Sequence, residues 1–171
     1  MPNLYIERIP RKPKIDQDPA LLPVKATTHA ANYDVFAYIK HRKITCFSSS
    51  NTKFGFLNHN KIVLNPGDRA IIPTGFKMCS DIGWKVELYP RSGNSIKFGV
   101  ALANAVAQID ADYRDEMMIL ISNTSNTQVS IKHNDRIAQL AIEQVHNVFM
   151  IEGTLPEIES NRDGGMGSSG R

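Results

Sequence analysis

The sequence has few of the features that mark secreted, zinc-binding or membrane-spanning proteins. Its two cysteines, Cys46 and Cys79, form no CxxC motif and stand beside no histidine pattern, so neither a disulfide framework nor a zinc site is expected. No run of 18 apolar residues occurs, and residues 1–20 carry charges and several prolines where a signal peptide would have an apolar core. We therefore expect a cytoplasmic protein with reduced thiols and no membrane segment.

The sequence also has only a small net charge. The 20 Lys and Arg exceed the 17 Asp and Glu by three, and the excess lies in residues 1–60, which hold nine basic and four acidic side chains. No helix-turn-helix, RNA-recognition or zinc-finger pattern accompanies them, so nucleic-acid binding is not expected and a solvated surface explains the charges. The five histidines have no metal-ligand spacing, which disfavours a histidine-based centre.

What the sequence does contain is a strand pattern in a chain of single-domain length. A chain of 171 residues with 42% hydrophobic residues suits one domain with its own core. Trp84, Val86 and Leu88 alternate with Lys85 and Glu87, which is the period of a half-buried antiparallel strand. Such segments between turn signals predict an all-β fold of the sandwich, jelly-roll or barrel type, with one short helix at 92–98. The predicted strands are 4–9, 33–39, 61–64, 70–72, 84–89, 117–122 and 137–142, and the predicted turns are 65–68, 73–75, 81–83 and 123–126.

The chain divides into one domain, residues 1–159, and a C-terminal arm, residues 160–171. The arm is too rich in Gly and Ser to fold alone, so we expect it to be flexible until a ligand orders it. Residues 40–60 interrupt the strand rhythm with Ser, Asn and Lys. They are expected to form a peripheral loop or an inserted hairpin of 43–47 against 53–57, which could be deleted without loss of the core and is available to a protein partner.

Two short stretches carry side chains suited to chemistry on a phosphate. The sequence PRSG at 90–93 offers a guanidinium from Arg91, a hydroxyl from Ser92 and close backbone approach at Gly93. At 108–116 four carboxylates lie within seven residues, and Asp110 follows a strand-like segment, where it can serve as a general base while Tyr113 supplies a flat face for a sugar or base. Each stretch alone is also compatible with an ordinary turn.

Five stretches in order resemble the motifs of the trimeric dUTP diphosphatase (dUTPase) family. They are ANYDVFA at 31–37, PRSG at 90–93, IDADYR at 109–114, DRIAQL at 135–140 and GGMGSSG at 164–170. The resemblance implies hydrolysis of dUTP to dUMP and pyrophosphate with Mg²⁺. It also implies a jelly-roll-like β fold and a homotrimer whose active sites are built between subunits.

The resemblance also assigns roles to individual residues. Asp110 matches the carboxylate that activates the attacking water, Tyr113 the ring that packs on the deoxyribose, and Asn104 the hairpin that reads the uracil edge. Asp34 matches a carboxylate near the triphosphate and its metal, acting through water. The implied contacts to the rest of the substrate come from Arg91, Ser92, Gly93 and Gln139 and, in the arm, from Arg162, Met166, Gly167 and Ser168.

Two departures and two alternatives accompany the resemblance. Met166 stands where the family has phenylalanine, and Arg162 lies one position nearer the glycines than usual, so the arm departs from the family pattern. A dCTP deaminase, or a bifunctional deaminase and diphosphatase, would use the same triphosphate clamp. A non-enzymatic regulatory trimer that binds a partner through residues 40–60 is the alternative from a different class.

Overall fold

The computed structural model describes residues 1–10, 18–57 and 60–159, which form thirteen strands and one helix. The strands are β1 (Leu4–Arg8), β2 (Val24–Lys25), β3 (Tyr33–Phe36), β4 (Lys43–Phe47), β5 (Lys53–Leu57), β6 (Lys61–Leu64), β7 (Arg69–Ser80), β8 (Trp84–Tyr89), β9 (Val100–Leu102), β10 (Ala107–Ile109), β11 (Glu116–Asn123), β12 (Val129–Lys132) and β13 (Arg136–Gln144), and the helix is α1 (Ser92–Phe98). The all-β prediction with one short helix at 92–98 is confirmed. Within the described ranges, no helix has the length and apolar character needed to span a membrane.

Two antiparallel sheets build the domain. Sheet 1 has the order β5-β4-β7-β11-β9, and β1 pairs with the second half of β7. Sheet 2 has the order β10-β8-β13-β3-β2, and β6 pairs with β12 in a small third sheet. Residues from both large sheets, among them Ile72 and Ile119 of sheet 1 and Val35, Leu88 and Leu140 of sheet 2, are fully buried in one hydrophobic core. The alternation of apolar residues places Val86 and Leu88 of β8, and Met117, Ile119 and Ile121 of β11, in that core.

The predicted turn at 73–75 is wrong, because β7 runs through it. Between the pairs Met118↔Pro73 and Glu116↔Lys77, β7 advances four residues while β11 advances two. Pro73, Thr74 and Gly75 therefore form a β-bulge, for which proline and glycine are as well suited as they are for a turn. Gly75 has φ +79°, and a side chain there would collide with the ring of Tyr38, so only glycine fits this position.

The prediction that residues 40–60 are peripheral is also wrong, although the hairpin within them is confirmed. Strands β4 and β5 pair from Lys43↔Leu57 to Phe47↔Lys53, and β4 continues sheet 1 by pairing with β7. Ile44 and Cys46 are fully buried in the core. Burial raises the pKa of the Cys46 thiol to about 11. The polar composition of the segment concealed an alternation of period two, and deleting 41–59 would remove part of the core.

We predict that Ile44→Ala destabilises the domain, because it leaves a cavity where a fully buried side chain was. The expected loss in free energy of unfolding is about 2–5 kcal/mol, measured by urea denaturation at a fixed protein concentration. Lys43→Ala, at the exposed neighbouring position of the same strand, is the control and should change stability by about 0.5 kcal/mol or less. Equal effects of the two substitutions would contradict a core role for the hairpin.

Candidate active site

A buried carboxylate joins three of the sequence motifs. Asp34, on β3, is 1% exposed. Its Oδ1 accepts hydrogen bonds from Arg91 Nε at 2.9 Å and Gln139 Nε2 at 3.4 Å, and its Oδ2 accepts one from Arg136 Nη1 at 3.1 Å. A buried carboxylate is stable only when donors and opposite charge compensate for its lost hydration. The structure therefore brings together Asp34, Arg91 and Gln139, three of the residues to which the motifs assign roles, and adds Arg136.

Arg91 lies in the short connection between β8 of sheet 2 and helix α1. It follows β8 and stands immediately before α1, which ends at Gly99 in a left-handed conformation with φ +63°. Ser92 and Gly93 are exposed at the start of α1. Gly93 has no positive φ, and a side chain there would meet nothing within 4 Å. The backbone at Gly93 is therefore open to close approach from outside the chain.

A groove of about 850 Å³ opens beside this cluster, between α1 and β12. Its lining includes Arg91, Lys97, Lys132 and Arg136 against one carboxylate, Asp135. Asp135 is already engaged, since its Oδ2 accepts the Lys132 backbone N–H at 2.7 Å. Even when the carboxylate of Asp34, which pairs with Arg91 and Arg136, is included, basic side chains outnumber acidic ones here, so the groove favours an anion.

A polar row on the same face of sheet 2 continues from Asp34 toward β10. Gln139 pairs with Tyr89, and Glu87, two residues before Tyr89, pairs with Gln108. Glu87 accepts hydrogen bonds from Tyr89 Oη and from Gln108 Nε2, the latter at 3.2 Å, and forms a 2.6 Å ion pair with Lys85. The Lys85 and Tyr89 contacts lower the pKa of Glu87, and the Glu87 carboxylate raises the pKa of Tyr89. Sequence reasoning missed this row because strand pairing, not chain order, assembles it.

The acidic loop after β10 holds the predicted general base. Asp110 directly follows β10 and is exposed, and its carbonyl accepts the Tyr113 N–H at 3.1 Å. The Tyr113 ring is half-buried beside Tyr5 and Cys79 in a pocket of about 340 Å³. Burial raises the pKa of Tyr113, and the carboxylates of Asp115 and Glu116 add to that rise. Asp110 and Tyr113 are thus fixed in one turn.

Asn104 lies in the loop that connects the two large sheets. It is exposed between β9, in sheet 1, and β10, in sheet 2. Its neighbour Ala105 adopts a left-handed conformation with φ 59°, which an alanine adopts rarely. The loop is closed by the Ala105 N–H, which donates to the Leu102 carbonyl at 3.1 Å. Asn104 and Asp110 therefore flank β10, one before the strand and the other after it.

The predicted site residues fall into two groups that are far apart in one chain. Ile109 pairs with Val86, so Asp110 lies level with Lys85, whereas Asp34 lies level with Gln139 and Tyr89. Asp34 and Asp110 are therefore separated by three strand spacings across sheet 2 and by four residues along it, a distance of about 20 Å. Arg162, Met166, Gly167 and Ser168 lie outside the described residues.

The donor set fits a magnesium ion held by a nucleotide better than one held by protein alone. The described part of the chain contains no group of three or more His, Cys, Asp or Glu residues that could hold a metal. Asp34 has about four acceptor positions, three of which take protein donors. The remaining position on Oδ2 can accept a metal-bound water. Mg²⁺ keeps several waters and commonly binds through phosphates, so this arrangement suits it.

Comparisons with known proteins agree with the motifs and the fold. The family model for dUTPase matches residues 44–170. The chain is 36% identical over 128 residues to a deoxyuridine 5'-triphosphate nucleotidohydrolase from Finegoldia magna, covering 75% of this chain and 90% of that protein. It is also 36% identical over 152 residues to the protein of the same name from a Wolbachia of Brugia malayi, covering 88% of this chain and 85% of that protein.

Solved structures show the same fold. The dUTPase of Staphylococcus bacteriophage 80alpha, as a G164S mutant with dUpNHpp, aligns with a TM-score of 0.71 and 21% identity over 98% of both chains. The dUTPase of Streptococcus mutans aligns with a TM-score of 0.62 and 24% identity, covering 86% of this chain and 98% of that one. With the family model spanning most of the sequence, the chain belongs to the dUTPase family.

Proposed function

We propose that the protein hydrolyses dUTP to dUMP and pyrophosphate, with Mg²⁺, in active sites shared between the subunits of a homotrimer. Family membership supports the reaction class. The observation that carries the detailed proposal is the separation of Asp110 from the Asp34 and Arg91 cluster on one face of sheet 2. The Asp110 group supplies the general base, and the Asp34 and Arg91 cluster supplies contacts to the phosphates. Neither group alone is sufficient for the reaction.

The separation requires a second chain. A general base must lie within hydrogen-bond distance of the reacting group, or one water away from it. Arg91 is held by Asp34, about 20 Å from Asp110 by the strand register. A triphosphate is much shorter than that distance, so Asp110 and Arg91 of the same chain cannot serve one substrate. Asp110 of one subunit and Arg91 of a neighbour can.

The C-terminal part of the described chain supports assembly. After β13 the chain from 146 to 159 forms no helix or strand, and its large apolar side chains are exposed. Phe149 is 99% exposed and Met150 95%. Contiguous exposed apolar surface marks an interaction site. We infer that this segment lies against another subunit and is covered by it. The segment would then carry its own arm, residues 160–171, toward the active site of a neighbouring subunit. The apolar residues concerned are Val148, Phe149, Met150, Ile151, Leu155 and Ile158.

In the proposed reaction Asp110 accepts a proton from a water molecule. The water oxygen forms a bond to the α-phosphorus, and the bond from that phosphorus to the bridging oxygen of the β-phosphate breaks. The products are dUMP and pyrophosphate, and the negative charge leaves on the pyrophosphate. No covalent enzyme intermediate is needed, because positioning and charge stabilisation supply most of the rate in phosphoryl transfer.

Substrate recognition divides between the two groups. On the Asp110 side, Asn104 reads the base edge and the Tyr113 ring packs on the deoxyribose, leaving no room for a 2′-hydroxyl. On the Asp34 side, Arg91, Ser92 and Gln139 contact phosphate oxygens, and the absence of a side chain at Gly93 allows close approach. Arg162, Met166, Gly167 and Ser168 complete the site from the arm of a subunit.

Magnesium fits this scheme as a nucleotide-borne ion. When bound, it neutralises charge on the triphosphate and on the leaving pyrophosphate. Asp34 would accept a hydrogen bond from one of its waters and is not a direct ligand, since both of its oxygens already accept donors from protein side chains. The main task of Asp34 is to hold Arg91 and Arg136 in place.

A protein partner that reaches residues 40–60 would meet the open edge of sheet 1. Strand β5 is the last strand of that sheet and pairs only through β4 among the described residues. An open edge offers unpaired backbone donors and acceptors to an added strand. Partner binding there is compatible with catalysis, because the edge lies in a different sheet from Asp34 and Asp110.

We predict that Asp110→Asn lowers dUTP turnover by at least about a hundredfold, because the amide cannot act as the general base. Asp112→Asn, two residues further along the same exposed loop, is the matched control and should retain most activity. Turnover is measured as pyrophosphate release from dUTP, UTP and dCTP, with ammonia assayed separately. Near wild-type turnover by Asp110→Asn would exclude Asp110 as the base, and ammonia release from dCTP would establish a deaminase.

We predict that two inactive variants restore each other when they assemble together. Asp110→Asn and Arg91→Ala should each be inactive alone. Refolded together in equal amounts, they should recover about a quarter of wild-type activity, because random assembly combines an intact Asp110 with an intact neighbouring Arg91 at that fraction of sites. Sites built within one chain would give no recovery, so the absence of any activity in verified mixed trimers would overturn the proposal.

We predict that Asp34→Asn weakens both stability and substrate binding. The amide can still accept hydrogen bonds but no longer compensates two guanidinium charges, so the expected loss is about 1.5–3 kcal/mol of unfolding free energy together with a raised KM for dUTP. Asp18→Asn, which removes the charge from the exposed pair with Lys40, is the control and should cost about 1 kcal/mol or less. Urea denaturation and initial-rate kinetics measure the two effects. An unchanged KM would contradict a positioning role toward Arg91.

A further inference from the structure

The side chain of Glu116, the first residue of β11, joins two parts of the chain that the sequence keeps apart. Its Oε1 accepts the Gly75 N–H at 2.8 Å, and its Oε2 forms an ion pair with Arg42 Nη2. The Glu116 side chain is 12% exposed and that of Arg42 is 27% exposed. A shielded ion pair that also satisfies a backbone N–H is fixed in position more firmly than an exposed pair.

The β-bulge explains why this carboxylate is needed. The two extra residues of β7 remove Gly75 from the regular ladder with β11, so its N–H must find another acceptor. The Met117 carbonyl opposite the bulge needs a donor instead, and Thr74 Oγ1 donates to it at 2.8 Å. Side chains therefore complete the backbone hydrogen bonds of the bulge, and Glu116 is held at the point where β11 begins.

Arg42 is held from a second direction. Its guanidinium lies 5.8 Å from the centre of the Tyr38 ring, within the range of a cation–π contact. The Tyr38 ring in turn packs directly over Gly75, and the Tyr38 N–H donates to the Pro73 carbonyl at 2.8 Å. Arg42 stands immediately before β4, so the same contacts attach the β4–β5 hairpin to the bulge.

The carbonyl of Glu116 connects this cluster to the acidic loop. Tyr113 Oη donates to the Glu116 carbonyl oxygen at 3.0 Å, while the Tyr113 N–H donates to the Asp110 carbonyl at 3.1 Å. The Tyr113 ring is thus held at its hydroxyl end by the residue that Arg42 and Gly75 fix through its side chain. A shift of Glu116 would move that end of the ring.

We propose that Arg42 and Glu116 are positioning residues that set the place of the Tyr113 ring and thereby the preference for deoxyribose over ribose. The proposal rests on the function proposed above, in which this ring packs on the sugar. A ring displaced by a fraction of an ångström leaves more room for a 2′-hydroxyl, and small displacements of positioning groups change rates strongly. Arg42 and Glu116 touch neither substrate nor reacting atoms and act only through Tyr113.

The test compares the ratio of kcat/KM for dUTP to that for UTP across four variants. Arg42→Ala should lower this ratio at least about fivefold, and Arg42→Lys should recover part of it, because the ammonium keeps the charge but not the fork. Glu116→Gln keeps an acceptor for Gly75, so it should fold normally and still lower the ratio. Lys40→Ala, which removes the exposed ion pair with Asp18 two residues before Arg42, is the matched control and should leave the ratio unchanged.

A spectroscopic readout that does not depend on turnover completes the test. In protein labelled with 3-fluorotyrosine, the Tyr113 resonance is assigned by its loss in Tyr113→Phe. Arg42→Ala and Glu116→Gln should shift that resonance, and Lys40→Ala should not.

The outcomes separate this inference from the proposed function. If Tyr113→Ala narrows the sugar preference while Arg42→Ala and Glu116→Gln leave both the ratio and the resonance unchanged, the inference is overturned and the function stands. If Tyr113→Ala leaves the preference of the wild type intact, the ring does not select the sugar. The proposed role of Tyr113 and the inference that rests on it then both fail.

Discussion

The burial of one carboxylate is the constraint on which the rest of the site depends. Asp34 is 1% exposed in the middle of sheet 2, where an uncompensated charge would be strongly destabilising. Its donors come from Arg91, the second residue after β8, and from two positions on β13. Three strands that are distant in sequence must therefore be in the correct register before the charge is compensated. Since Arg91 also borders the basic groove, the interaction that completes the fold orients the guanidinium that we propose binds phosphate.

Sheet 1 depends on the β-bulge in β7, whose unpaired backbone groups are satisfied by a few side chains. The bulge in β7 lets the strand pair with β4 along its first half and with β1 along its second. The backbone groups it frees are satisfied by Thr74 and Glu116. One bend thus attaches the β4–β5 hairpin to the core and places the start of β11 beside the acidic loop. The same few side chains therefore satisfy the bulge and connect it to distant parts of the chain.

Much of the architecture could be predicted from residue patterns. Clear alternation, as in Trp84 to Tyr89, predicted β8, and the motif at 90–93 predicted the end of a strand followed by α1. Strand β12, with the sequence VSIK, was missed because only two of its four residues are apolar, whereas the equally short β6, with the sequence KIVL, has three. Pro73 to Gly75 predicted a turn, because the same backbone conformations serve a turn and a bulge. The composition of residues 40–60 predicted a peripheral segment, because its Ser, Asn and Lys residues outnumber the buried Ile44 and Cys46.

The site was less predictable than the fold. The motifs supplied Asp34, Arg91 and Gln139, and the structure brings these three together. Arg136 was missed, although it lies inside the fourth motif, because nothing in its sequence neighbourhood indicates which carboxylate it reaches. The 20 Å that separates Asp34 from Asp110 could not be read from the chain at all, since it follows from the pairing of β10 with β8 and of β13 with β3. Strand register is a long-range property.

That separation has a consequence for how activity responds to protein concentration. Under the proposed arrangement a lone chain carries every residue of the site and still has no complete site. Dilution below the dissociation constant of the assembly would therefore abolish turnover without unfolding a single domain, and substrate, by bridging two chains, would stabilise the assembly it needs. Substrate binding and subunit association would be thermodynamically linked. The nucleotide would therefore stabilise the association of the subunits in addition to being the substrate.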